Sequence, residues 1–386
     1  MEEPRPILYL DMVSGDSAKE AKLAGVRRYA SAHGWKVDAV PAAESGMVQV
    51  SARLSRSRPG GVVIDCSAGH ASLPPRFFGN TPVVYLDAVT RPHGGPAALV
   101  VPDNTAITKV ALRELRAGRP SALAFVGFHM PTPWDRERER VFRALAADTG
   151  MPAMVFNCRG ERICMPHRLK RLSAWLSGLP RHCGVMAVND KTAVEVEMAA
   201  RTAGLRIPQD FTLVGVDNMN AESSPSSFST VQIDFERAGW RAAELLGRLM
   251  SGKVSLPAVE TFGPMMAIRR ESTRGRGHRE PYIRDAVGVI RREACDGRLT
   301  PASLAARMSG SRRHFERRFR EAMGHGVLDE IQSVRLERVC SLLDRTDTAI
   351  DAVWSYCGFH SDRTLRQLFL ARFGMSMREW RKRNRL

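Results

Sequence analysis

The sequence predicts two architectures in one chain: an α/β domain of parallel sheets flanked by helices, followed by an all-α domain with two helix-turn-helix motifs. Three observations carry this. Up to residue 270, short apolar runs alternate with amphipathic helical stretches at a period of about 25–30 residues, the signature of strand–helix–strand units. Between residues 299 and 383 a different pattern occurs twice: a short helix, a tight turn, and a second helix opened by a Ser N-cap. Finally, the charge is uneven. The chain carries 58 Lys and Arg against 41 Asp and Glu, a net +17, and residues 271–386 hold 24 and 15 of these. The basic surplus is therefore about threefold denser over the helical repeat, as phosphate binding requires.

Taken in order, strands are expected at 7–10, 35–40, 61–65, 83–86, 122–126, 153–156, 184–188 and 213–216, each an apolar run bounded by turn residues. Helices are expected at 17–32, 104–117, 134–147, 167–177, 191–203 and 235–250. Ligands of open parallel sheets bind outside the carboxyl ends of the strands. Those ends read Asp11, Asp65-Cys66, Asp87, Gly127-Phe128, Asn189-Asp190 and Asp217-Asn218. A carboxylate accepts hydrogen bonds from vicinal hydroxyls, so these residues suit a hydroxyl-rich ligand. Asp and Asn also cap following helices, and either role fits any single one.

Four segments then carry a resemblance: Val100-Val-Pro-Asp-Asn104, Arg138-Glu-Arg-Val-Phe142, Met186-Ala-Val-Asn-Asp190 and Val214-Gly-Val-Asp217. They resemble the effector domain of lac-repressor-type regulators, which shares the two-lobed fold of periplasmic sugar-binding proteins. The resemblance implies that Arg138, Asn189 and Asp217 grip sugar hydroxyls, with Asp190 beside them and Asp11 and Asp87 as contacts from the first lobe. Trp134 has two readings, a stacking face for a pyranose ring or a packing residue of its own helix. Val141 stands where that family often has Gly, and Asn218 where a second acidic residue is common. The implied effector domain is 1–270, with lobe one at about 5–104 and 232–270 and lobe two at about 105–229. Residues 229–231 cross back, and strands near 258–262 and 265–268 complete lobe one. No helix-turn-helix pattern precedes Ile7, so DNA contact is expected from the other end.

Residues 269–280 are polar, Gly-containing and without apolar periodicity, and a linker is expected at 271–281. Residues 282–386 resemble the DNA-binding domain of the AraC/XylS family. The matching elements are Leu304-Ala-Ala-Arg-Met308, Phe315-Glu-Arg-Arg-Phe319, Arg335-Leu-Glu-Arg338, Gly358-Phe359 and Phe369 to Gly374. Ser309-Gly310 departs from the usual first turn, and Met377 stands where that family usually has Pro. A linking helix at 327–343, about 25 Å long at 1.5 Å per residue, would set two recognition helices into successive major grooves. Their groove-facing candidates are Ser311, Arg312, Arg313, His314 and Arg317, then Ser361, Asp362, Arg363, Arg366 and Gln367. Arg reads guanine and Gln reads adenine, although about half of such contacts reach phosphate only.

Together the two resemblances imply a sequence-specific transcriptional regulator: a cytoplasmic homodimer that binds double-stranded DNA, engages RNA polymerase, and is controlled by xylose or another sugar, with activator and repressor both left open by the sequence. The seven Cys residues are scattered without a Cys-x-x-Cys pair, so neither a disulfide framework nor a metal is expected, and no motif asks for a cofactor. No apolar run reaches the roughly 20 residues of a membrane span, and no signal peptide is expected before Ile7. Two alternatives stay open. One is a regulator with a non-sugar effector. The other is an amidotransferase-like domain using Cys66 at the end of a strand, which needs a helix directly after the turn; the Pro-rich text after Cys66 argues against that, so no enzyme activity is expected.

Overall fold

The computed structural model describes residues 6–12, 17–66, 73–88, 97–129, 132–157, 164–219, 227–273, 281–323, 325–346, 348–373 and 375–384. The chain begins with β1 (Ile7–Asp11), α1 (Ser17–Ala32), β2 (Val37–Pro41), α2 (Ala42–Ser57), β3 (Gly61–Asp65), β4 (Val83–Leu86) and β5 (Ala98–Pro102). It continues through α3 (Asn104–Ala117), β6 (Leu123–Val126), α4 (Pro133–Ala147), β7 (Ala153–Phe156), α5 (Met165–Ser177), β8 (Cys183–Ala187), α6 (Asp190–Thr202), β9 (Phe211–Asp217) and β10 (Ser229–Ile233). Then come α7 (Phe235–Met250), β11 (Ala258–Phe262) and β12 (Pro264–Ile268). These strands form two six-stranded sheets, ordered β11-β5-β4-β3-β1-β2 and β12-β10-β9-β8-β6-β7. All pairings are parallel except β10 with β12.

Each sheet is covered by helices on both faces, which is why β1, β3, β4, β6 and β8 are buried along their whole length and read as unbroken apolar runs. In the first lobe α7 crosses α1 at very close range. A Cβ added to Gly239 would lie 1.8 Å from the Lys22 carbonyl oxygen, so only glycine fits there.

Three sequence expectations need correction. Residues 229–231 are not a bare crossover; they belong to β10, paired with β9 in the second sheet. β12 also joins that sheet rather than completing lobe one, because the chain crosses again at Gly263. The stretch 269–273 is not linker. Arg269 bonds Glu114, and Glu271–Thr273 form a 3-10 turn whose Ser272 and Thr273 are buried against the second lobe. Polar composition suggested a linker, but Arg269, Arg270, Ser272 and Thr273 each have a partner inside the fold. α2 gave no clear signal either, since its Val, Ser and Gly content is poor helix-forming material and Val48 is 83% exposed.

The C-terminal domain is built from α8 (Pro281–Glu293), α9 (Pro301–Arg307), α10 (Arg312–Met323), α11 (Val327–Arg345), α12 (Val353–Tyr356), α13 (Asp362–Phe373) and α14 (Met377–Asn384). It has two apolar cores. One gathers α8, α9 and α10 around Phe315 and Phe319, and the other gathers α12, α13 and α14 around Phe369 and Trp380. α11 belongs to both: Val327 and Ile331 enter the first core, and Leu336, Val339 and Leu343 the second. Between them buried Arg335 donates to the carbonyls of Ala294 at 2.7 Å and Leu299 at 3.0 Å. At 19 residues α11 is two longer than expected, about 28 Å at 1.5 Å per residue.

Candidate functional site

The chain passes between the lobes at Asp103, Asp234 and Gly263. The Asp103 amide donates to the Phe262 carbonyl at 2.7 Å, and the Asp234 amide to the Gly263 carbonyl at 3.3 Å. The carboxylates of Asp103 and Asp234 cap α3 and α7 by accepting from the amides of Ala106 at 2.8 Å and Arg237 at 2.9 Å. The crossings are thus tied to one another and to the helices that follow them, as a hinge requires. Beside them lies a solvent-connected cleft of about 70 Å³.

Its walls bring together Asp87 from lobe one and Trp134, Arg138, Asn189 and Asp217 from lobe two, with Phe235 and Phe262 as apolar surface. Arg138 is buried. Its Nε donates to Asn104 Oδ1 at 3.0 Å and its Nη1 to the Val188 carbonyl. Burial pushes its guanidinium below its ordinary value, while Asp217, Asp87 and Asp135 pull the other way. Trp134 packs on Phe128 at 5.3 Å between ring centroids and carries the Arg138 guanidinium 5.6 Å from its own ring, so it is both a packing residue and part of the cleft wall. Asn189 caps α6 through Oδ1 to the Thr192 amide at 2.9 Å and also lines the cleft. Asn189 is thus a helix cap that also faces the cleft.

Two expected contacts stand elsewhere. Asp11 is buried and paired with Lys19, outside the cleft lining. Asp190 lies behind the wall, accepting from Thr230 Oγ1 at 2.6 Å and the Met219 amide at 2.9 Å. Burial raises its carboxyl to about 6 against these hydrogen bonds and the pull of Arg270. Both residues sit at strand ends as read, but their carboxylates turn toward the protein.

On the helical domain, α10 divides cleanly. Phe315 and Phe319 are fully buried, while Arg312, Arg313, His314 and Arg317 are exposed. α13 repeats the division, with Leu365 and Phe369 inside and Arg363, Arg366 and Gln367 exposed. Ser311 and Ser361 act as caps, accepting from the amides of His314 at 3.3 Å and Thr364 at 3.2 Å. Arg312 reaches Glu316 at 2.8 Å, and Arg366 reaches Asp362 at 2.6 Å. Such exposed pairs contribute little stability, so a phosphate or base edge can take the place of the carboxylate.

The two turns differ. In the second motif Gly358 has φ +73°, and a Cβ there would lie 2.6 Å from the Ala294 carbonyl oxygen. In the first, Gly310 has φ +102°, directly before the capping Ser311. The left-handed residue is displaced along the turn, yet each motif keeps a Ser cap and a buried aromatic helix face.

Residues 112–273 match the periplasmic binding protein-like domain family, and residues 304–383 match a helix-turn-helix domain family. Together these stretches cover more than half of the chain. It is 28% identical over 289 residues to the xylose operon regulatory protein of Haemophilus influenzae, covering 73% of this chain and 74% of that protein. It is also 28% identical over 297 residues to the protein of the same name from Escherichia coli K12, covering 75% of each. The solved structure of the xylose-binding transcription activator XylR covers 100% of both chains at 23% identity, with a TM-score of 0.60. The chain is a transcriptional regulator that joins a periplasmic binding protein-like domain to a helix-turn-helix domain.

In this regulator the residue that sequence reasoning missed is Lys22. It is fully buried at the back of the cleft, with Nζ 3.2 Å from Asp65 Oδ1 and 2.7 Å from Asp87 Oδ2. Burial disfavours its charge, but the two carboxylates outweigh that and hold the ammonium above its ordinary value. Tyr9 closes the network by donating to Asp65 Oδ2 at 2.9 Å. Lys22 sits mid-helix in a stretch that reads as a solvated face, and only the sheet order brings Asp65 and Asp87 beneath it.

Cys66, the nucleophile of the enzyme alternative, is buried, and its thiol donates to the Ile64 carbonyl at 3.7 Å. Burial, then Asp65 and Asp87, push the thiol far up, the opposite of an activated nucleophile. The residues directly after it, 67–72, lie outside the described residues. Among the described residues no helix is long and apolar enough to cross a membrane.

Proposed function

We propose that this regulator senses a small neutral carbohydrate, xylose or another sugar, in the cleft between its lobes. The observation that carries the reading is the pairing of Asp87 and Asp217 from opposite lobes across one cleft, beside the Arg138 guanidinium and the Trp134 ring. Two carboxylate acceptors, one fixed donor and an aromatic wall are what a sugar ring with vicinal hydroxyls requires. Asn189 supplies a further polar contact, while Asp190 holds the Asp217–Asn218 turn from behind. The names of the relatives favour xylose among sugars.

Output runs through α10 and α13. Arg312, Arg313, His314 and Arg317, then Asp362, Arg363, Arg366 and Gln367, face double-stranded DNA, with Ser311 and Ser361 at the helix starts. The regulator acts in the cytoplasm as a homodimer on paired half-sites, since protein two-folds map onto repeated DNA sites, and as an activator it engages RNA polymerase. Burial of Cys66 favours this reading over catalysis. A thermal-shift screen against a panel of pentoses and hexoses tests the effector. D-xylose or a related sugar raises the melting temperature; no shift with any sugar overturns the carbohydrate assignment. Sedimentation with and without sugar and DNA tests the dimer, which a monomer under every condition would exclude.

A further inference from the structure

Arg269 and Arg270 follow β12 directly, and their side chains serve two different neighbourhoods. Arg270 reaches toward the cleft. Its Nη2 donates to Asn218 Oδ1 at 2.7 Å, its Nη1 to the Phe228 carbonyl at 3.0 Å, and its backbone amide to Ser229 Oγ at 2.7 Å. Asn218 is bonded to Asp217, which lines the cleft, and both hold left-handed backbones, with φ of +57° and +106°. Two consecutive non-glycine residues in that region are strained and persist only when the surroundings hold them. Arg270 is part of that hold, together with Thr230 Oγ1, which accepts from the Asn218 amide at 3.3 Å.

Arg269 reaches toward the DNA-binding domain. Its Nε and Nη2 donate to the two oxygens of Glu114 on α3 at 2.6 and 2.9 Å, and Thr273 Oγ1 donates to the same carboxylate at 2.7 Å. Burial pushes the Glu114 carboxyl up, but these bonds outweigh it and leave it below its ordinary value. Around the pair stand Arg372 of α13, Glu330 and Glu337 of α11, and Arg113 of α3. Burial, then the nearby Arg269, hold the Arg372 guanidinium below its ordinary value, while Glu114 and Glu337 raise it. Earlier in the same strand, Met265 and Met266 pack on the core of the second helix-turn-helix unit, the cluster that includes Leu336, Val339, Phe369 and Trp380. The first unit is in a different position. A cavity of about 280 Å³ lies between the end of α10, at Arg320 to Met323, and the second lobe at Arg119, His182 and Thr212.

We propose that Arg269 and Arg270 form the relay by which the occupied cleft acts on the second helix-turn-helix unit, while the first unit is left to hold DNA. The proposal rests on reading the cleft as the effector site. A ligand that draws on Asp217 shifts the Asn218 turn. Arg270 passes the shift to the end of β12, and the adjacent Arg269 passes it to Glu114 and the flank of α13. Two distinct sites and one shared mechanical element are what coupling requires.

Hydrogen exchange on the full-length protein tests it without needing the effector. Asp217→Gly relaxes the strained turn and so perturbs the cleft directly. Exchange of the α13 amides is expected to change roughly fivefold in this variant while α10 stays within error, and the change is lost when Arg270→Met is combined with it. Arg270→Lys, which keeps the charge, serves if Arg270→Met does not fold, and Arg372→Met is expected to silence α13 from the far end. An unchanged α13 in Asp217→Gly, or the same change with Arg270 replaced, overturns the relay. D-xylose on the wild-type protein is the second arm. Silence there with an intact Asp217→Gly response removes xylose as the effector and keeps the relay.

Discussion

At the scale of single residues, the cleft depends on charges that water does not screen. Lys22 is the only cation bonded to both Asp65 and Asp87 among the described residues. Replacing it by Met leaves two neighbouring carboxylates without that counter-charge. Lys22→Met is expected to destabilise the protein by about 3–5 kcal/mol in urea unfolding, the range for breaking a buried pair. Asp190 makes a prediction about pH. Its folded carboxyl sits at about 6, above its ordinary 3.8, so the native state binds the proton more tightly than the unfolded chain. An acid shifted upward contributes stability that is fully present below the lower value and is lost as pH rises to the higher one. Stability should therefore fall by up to about 3 kcal/mol between pH 4 and 6 through this group. Asp190→Asn is expected to flatten that part of the profile, and an unchanged profile would assign the slope to another group.

At the scale of elements, the closest crossing and the spanning helix decide most. Gly239→Ala forces a methyl group against the Lys22 carbonyl, separating α7 from α1 beside the cleft. The expected cost is about 3 kcal/mol or more, read as a lowered urea midpoint. Arg335→Met removes both bonds to the Ala294 and Leu299 carbonyls from the middle of α11. A loss of about 2–3 kcal/mol is expected, together with a broader unfolding transition as the two helical cores lose their common tie. α10 and α13 could be read in advance because Phe315, Phe319, Leu365 and Phe369 recur at helical spacing. The turn between α9 and α10 could not, since Gly310 takes its left-handed backbone at a different place from Gly358.

At the scale of the whole molecule, the basic surplus of the C-terminal domain should appear in its salt dependence. DNA affinity is expected to fall steeply with salt, and Arg313→Ala to lower the log–log slope by about one if that side chain neutralises a phosphate. A slope unchanged by Arg313→Ala would remove it from the phosphate contacts. The same scale explains the misread segments. The stretch 269–273 looked like linker because nothing local distinguishes a polar residue that is solvated from one that is partnered 155 residues away, as Arg269 is with Glu114. β12 was assigned to the wrong lobe for a similar reason: an apolar run of five residues states that it is a strand, not which sheet edge is vacant.

What the amino-acid sequence determined by itself was periodic or local: the alternation of strand and helix, the Ser caps of α10 and α13, the basic surplus, and Asn189 and Asp217 at strand ends, whereas Arg138, inside α4, was legible only through the resemblance to lac-repressor-type effector domains. Tertiary structure alone decided which carboxylates face the cleft and which turn inward, since Asp87 and Asp11 end similar strands, but Asp87 takes a left-handed backbone beside Lys22 while Asp11 stays in β1 and pairs with Lys19. It also brought Arg269 and Arg270 between the cleft and the second helix-turn-helix unit. Periodicity fixes the face of an element, whereas the partner of a charge is fixed by the order in which distant elements pack.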